Sequence, residues 1–261
     1  MMLAAWLDLV APDDSGAAKL PVVRRYAAPE ARQAVAVDRE FFYAITNRTI
    51  AKYRKRDGQR VATWTDETGK IAHMNSGIVL DRKVYCCNSN YPNTPMQSSI
   101  EVFDTASLRH ERSLAFGIDA GSLTWLERFD GTYWAVFGHY NGKGGEPGKL
   151  NDRTVLVKLD REYRRVGGYA FPKSVIDRWD GMTCSGGVWH PNGFFITTGH
   201  HAPEIYVLRL PEAGPELEHM LTLGVESEGQ GIALDPSDPR LLWTIQRKTG
   251  EVLVSRLPDL R

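Results

Sequence analysis

The chain repeats itself, and the repeat limits its fold more than any other feature. Five segments open with small or polar residues and continue into an apolar strand: Gln33–Asp38, Ser76–Asp81, Gly121–Trp125, Gly186–Trp189 and Gln230–Asp235. A turn follows each, then a second strand that ends in a polar cluster: YAITNRT, YCCNSNY, WAVFGHY, ITTGHHA and WTIQRKT. Third strands come next (TIAKY, SIEVFD, TVLVKLD, EIYVLRL, EVLVSRL), and most units add a fourth, as in RVATWTDE and LEHMLTLG. The period is roughly 45 residues, within the range of propeller blades. Alternating, β-branched and aromatic strands bounded by Gly, Asp, Asn and Pro leave almost no room for helix.

A lone four-stranded unit would leave an apolar face bare. Packing such units in a ring buries both faces and protects the edges. The expected fold is therefore all-β: a β-propeller of four-stranded antiparallel blades. The fifth unit stops after its third strand, so its fourth must come from elsewhere. KLPVVRRYA (Lys19 to Ala27) precedes the first unit, reads as a strand, and is expected to close the ring. The count favours five blades. Six is the alternative if the longer interval around SVIDRWDGMTC hides a degenerate unit. Residues 1–18 are expected to be a flexible tail and 19–261 a single domain.

The openings SGIVL, SGGVW and GQGIALDPSDPRLLWTI resemble lactonase-like, NHL-like and regucalcin/gluconolactonase-like β-propellers, and bacterial proteins labelled cycloisomerase. The resemblance runs from about Leu20 onward. It implies a hydrolase or isomerase acting on a small polar organic acid, lactone or sugar derivative. A non-catalytic ligand- or protein-binding propeller is the alternative, because one fold serves many functions. The metal site of regucalcin-type propellers, built from acidic and amide ligands spread over the blades, has no residue-by-residue match here.

Lys and Arg total 32 and so do Asp and Glu, so the formal charge is zero. A balanced charge supplies no broad field for nucleic acid or an anionic bilayer. No apolar run is long enough to span a membrane as a helix. The opening MMLAAWLDLVAP has no basic residue before its apolar stretch and makes a poor signal peptide. A trimmed signal would place the protein in the periplasm or outside the cell; otherwise it is cytoplasmic. Cys86, Cys87 and Cys184 are an odd set and read as buried free thiols.

Propeller geometry predicts the site. Strand starts next to the axis and second-strand ends share one face, because successive strands are antiparallel. That face, here the upper mouth, should gather Gln33, Asn75, Ser76, Ser122, Ser185 and Gln230 with Ser89, Asn90, His139, Tyr140, His200, His201 and Arg247. The expected ligand-binding set is Asn75, Ser76, Ser89, Asn90, Ser122, Ser185, His201, Gln230 and Arg247. The expected catalytic set is His200, with His139 nearby and Glu204 to orient it. His200 would be the inward member of the adjacent pair and would move a proton near neutral pH. Arg247 would hold an anionic group. A divalent metal on His139, His200 or His201 with Glu226 or Glu228 is an alternative reading of the same groups, as is calcium on amide and carboxylate oxygens. The turn residues Asp38, Asp81 and Asp235 fall on the opposite face and read as turn formers. Trp125, Trp134, Trp189 and Trp243 read mainly as packing between blades. GKGGEPG lacks the ending of a phosphate loop and reads as a long loop over the mouth.

Overall fold

The computed structural model describes residues 18–118 and 120–260. Most of the expected tail therefore lies outside the described residues. The fold is a five-bladed β-propeller. After a first strand, β1 (Val22–Ala27), blade one is β2 (Ala34–Val37), β3 (Phe41–Ile45), β4 (Thr49–Arg54) and β5 (Arg60–Thr65). Blade two is β6 (His73–Leu80), β7 (Lys83–Ser89), β8 (Gln97–Asp104) and β9 (His110–Ile118). Blade three is β10 (Ser122–Phe129), β11 (Thr132–Gly138), β12 (Val155–Leu159) and β13 (Arg165–Ala170). Blade four is β14 (Gly186–Trp189), β15 (Phe194–Thr198), β16 (Glu204–Arg209) and β17 (Glu218–Gly224). The last blade holds β18 (Ala233–Asp235), β19 (Asp238–Gln246) and β20 (Glu251–Arg256), with β1 as its outer strand.

Closure by β1 follows from its pairing. It runs antiparallel to β20, with Arg25 opposite Leu253 and Tyr26 opposite Val252. Tyr26 stacks on Trp243 at 5.5 Å, and its hydroxyl donates to the Lys55 carbonyl of blade one at 2.7 Å. One residue thus fastens the last blade to the first.

Apolar side chains collect between the sheets. One cluster joins Val35, Phe42 and Tyr53 of the first blade to Trp243, Val252 and Val254 of the last. Another sets Trp125, Trp134 and Val136 of the third blade against Trp189, Phe195 and Tyr206 of the fourth. The remaining seams are filled in the same way. This is where the four repeat tryptophans go, and burial of such faces is the main favourable contribution to a ring of sheets.

The long interval holds no sixth blade. Its residues form a short helix, α1 (Lys173–Ile176), and a 3-10 turn ending at Trp179. Trp179 is buried edge-on against Phe171, 4.9 Å between ring centres. The insert therefore plugs the seam between blades three and four instead of pairing as a sheet.

The axis is crowded enough to demand glycine. A Cβ on Gly231 would lie 2.5 Å from Ala34 Cβ, and one on Gly186 would lie 2.6 Å from the Gln230 carbonyl oxygen. Backbone there bonds directly between blades, with Gly231 N–H donating to Gln33 O at 3.0 Å. Missing side chains let the inner strands approach.

Candidate functional site

The upper mouth narrows onto a polar floor. Gln33, His73, Asn75, Tyr91, Thr124, Tyr140, Ser185, His200 and Gln230 surround a cavity of about 10 Å³. That is room for about one water molecule. Every blade contributes, because each inner strand starts here.

Beside this cavity lies a hydrogen-bonded chain between blades two and three. Asn75 Nδ2 donates to Ser89 Oγ at 3.2 Å and to the Leu123 carbonyl at 2.8 Å. Ser122 Oγ donates to Ser89 Oγ at 3.0 Å. All three side chains are buried, so each bond satisfies a group that would otherwise be desolvated without a partner. On the far side, Gln33 Nε2 donates to Asn47 Oδ1 at 2.7 Å.

His200 sits between Ser185 and Gln230. Its Nδ1 lies 3.1 Å from Ser185 Oγ and 3.2 Å from Gln230 Nε2. The Gln230 amide nitrogen also faces the His200 carbonyl at 3.5 Å, which fixes it as a donor. An amide N–H pointed at Nδ1 makes Nδ1 the acceptor, so the neutral ring carries its proton on Nε2. Burial first, then His201, Arg247 and His73, push the His200 pKa down to about 4. His73 is likewise lowered to about 4 by burial, with Arg247 adding to it. Both rings are neutral near pH 7.

Arg247 completes this mouth. Its guanidinium is about half-buried and makes no hydrogen bond or ion pair among the described residues, although its backbone carbonyl accepts from Arg32. Burial lowers its pKa and repulsion from Arg32 adds to this, against some attraction from Glu228. Glu228 itself is paired with Lys248. A partly desolvated cation beside two neutral imidazoles and no paired carboxylate favours an incoming anion.

The other expected site residues fall into separate places. His201 is exposed and meets His200 edge-on at 4.5 Å. Glu204 starts β16 and binds Arg178 at 3.1 Å; no hydrogen bond joins it to His200. His139 is buried in blade three, where its ring lies against Gly121 and its backbone N–H donates to Thr154 Oγ1. Ser76 bonds the buried thiol of Cys87. Asn90 is spent on its own loop, donating to the Pro95 carbonyl and accepting from the Gln97 N–H. Glu226 pairs with Arg25. Among the described residues, no group of three His, Cys, Asp or Glu side chains is arranged to hold a metal ion. The three cysteines are free and buried.

Sequence reasoning passed over His73, Tyr91 and Thr124. His73 precedes the apolar part of β6, two residues before Asn75, so the repeat alignment left it out. Tyr91 follows the end of β7 and turns back over the mouth. Its ring lies 5.2 Å from His73 and 4.8 Å from Tyr140. The loop containing GKGGEPG rests on it: a Cβ on Gly144 would lie 2.5 Å from the Tyr91 ring. Glycine at φ +82° is what lets the loop come so close.

No protein-family model matches this chain, and no curated protein sequence does. Solved structures do resemble it. Glutaminyl cyclase from Myxococcus xanthus superposes with a TM-score of 0.62 at 12% identity, over 95% of this chain and 100% of that one. A putative 6-phosphogluconolactonase from Bacteroides uniformis gives 0.41 at 15% identity, over 84% of this chain and 60% of that one. The first likeness shows the shared propeller fold.

Proposed function

We propose that the upper mouth binds a small polar organic anion, such as the anion of a hydroxy acid or a sugar acid. Arg247 pairs with the carboxylate, and the Nε2–H of His200 donates to the same ligand. The observation that carries this reading is the half-buried guanidinium with no acceptor among the described residues, placed beside a neutral imidazole whose proton faces away from its Ser185 and Gln230 partners. Entry requires Tyr91 and the loop resting on it to move, because the closed cavity holds about one water.

In a hydrolysis or isomerisation, this tautomer casts His200 as a donor that polarises a carbonyl rather than as the base. Binding without turnover is the second reading. Among the described residues His200 bonds Ser185 and Gln230 and no carboxylate, which favours it, since a base of this kind is usually oriented by a carboxylate partner.

Calorimetric titration with gluconate, and turnover of glucono-1,5-lactone, test both readings. Saturable gluconate binding that weakens by about tenfold or more in Arg247→Gln supports the anion site. Lactone turnover that falls in His200→Phe while gluconate binding persists supports the enzyme. Gluconate, malonate and lactate all failing to bind the unaltered protein contradicts the proposal.

A further inference from the structure

The lower mouth of the same channel is a second, chemically opposite cavity. It encloses about 270 Å³. Its wall is made by the far ends of the inner strands: Ile78 to Leu80, Trp125, Val188, Trp189 and Ile232 to Leu234 among them. The charged residues on this wall are two acids, Glu127 and Asp235, with no Lys or Arg. Asp235 is already used, bonded to Lys55 Nζ at 2.8 Å and to the Trp243 indole N–H at 3.1 Å. Glu127 is not. One oxygen accepts the Trp189 backbone N–H at 2.8 Å, and its other oxygen has no partner among the described residues.

We propose that this cavity binds a small apolar amine, with the ammonium on Glu127 and the hydrocarbon body against Ile78, Val79, Val188 and the tryptophans. A carboxyl set among aliphatic and indole surfaces is poorly solvated, and an ammonium is the partner that satisfies its free oxygen while the walls bury the remainder. An anion would meet only acids here, and a fully polar amine would leave the apolar wall uncovered. Burial holds the Glu127 carboxyl up to about 8, in spite of the Trp189 N–H, which agrees with a group that has no cation beside it among the described residues. The site is separate from the anion site of the upper mouth, which is lined by different residues.

Benzylamine is a suitable probe, with benzyl alcohol as its uncharged counterpart. Titration at pH 7.5, followed by calorimetry and tryptophan fluorescence, should show one benzylamine per chain and benzyl alcohol bound about tenfold more weakly or worse. Glu127→Gln retains an acceptor for the Trp189 N–H. It should fold cooperatively, melting no lower than the unaltered protein, and lose benzylamine affinity by about tenfold to a hundredfold. Arg247→Gln should bind benzylamine as the unaltered protein does, which separates this site from the upper one. Three results would overturn the proposal: no benzylamine binding up to about 10 mM, benzyl alcohol binding as well as the amine, or a folded Glu127→Gln that binds benzylamine undiminished. The comparison of amine with alcohol decides the matter even if the variant does not fold.

Discussion

His200, His73 and Glu127 are held uncharged by burial, and each makes stability depend on pH in its own direction. The two histidines fall from 6.5 to about 4 on folding. The unfolded chain therefore takes up their protons first as pH drops, and stability present above pH 6.5 is lost toward pH 4. The urea midpoint of His73→Asn/His200→Asn should fall less between pH 7 and pH 4.5 than that of the unaltered protein. An equal fall in both would mean the imidazoles are charged already. Glu127 rises from 4.5 to about 8. The unfolded carboxyl ionises first as pH climbs, so its contribution to stability declines between pH 4.5 and pH 8. Glu127→Gln should gain on the unaltered protein steadily across that range, as read from melting temperatures at successive pH values. Neither environment was visible one residue at a time. Glu127 is buried partly by Trp189, 62 positions away in the next blade, and nothing in LTWLERF marks that carboxyl as different from a solvent-facing one. The pairing of His200 with Gln230 likewise depends on two blades meeting.

At the scale of the element, two strands hold positions with little tolerance. Tyr26 of β1 is buried against Phe42 and Trp243 and reaches Lys55 with its hydroxyl. Tyr26→Ala should cost about 3–5 kcal/mol, as truncation of a large buried aromatic does. Denaturant titration would measure it, and a loss below about 1 kcal/mol would show that β1 is not what fastens the ring. Just before β18, Gly231→Val must push against Ala34 across the axis. Overpacking of this kind costs about 1–3 kcal/mol, and it should narrow the upper mouth as well. The strands themselves were legible, because alternation, turn residues and β-branching agree from unit to unit. SVIDRWDGMTC was less so. Its apolar residues fit a degenerate strand or a helical turn equally well, and only the pocket beside Phe171 decides that Trp179 plugs a seam.

For the whole molecule, a ring with one missing strand forced the reading that the two chain ends meet, and β1 beside β20 is that meeting. The same symmetry explains why polar strand starts converge at one mouth and apolar strand ends at the other. What symmetry could not reveal is departure from it: Tyr91 over the upper mouth, the His73 side chain and the Glu127 carboxyl at the lower mouth each occur in one blade only. Five-fold convergence also put His139 among the candidates, and nearness in sequence to His200 added Glu204; the first is buried beside Gly121 and the second pairs with Arg178. The account rests on the claim that the upper mouth presents an uncharged His200 with its proton on Nε2, next to a guanidinium awaiting an anion. A two-bond proton–nitrogen NMR spectrum of the histidine side chains at pH 7, recorded without and with gluconate, reports on that directly. The predicted result is a neutral Nε2–H tautomer for His200 whose Nε2 signal moves on addition of gluconate and stays still in Arg247→Gln. A protonated ring, an Nδ1–H tautomer, or signals indifferent to gluconate would contradict it.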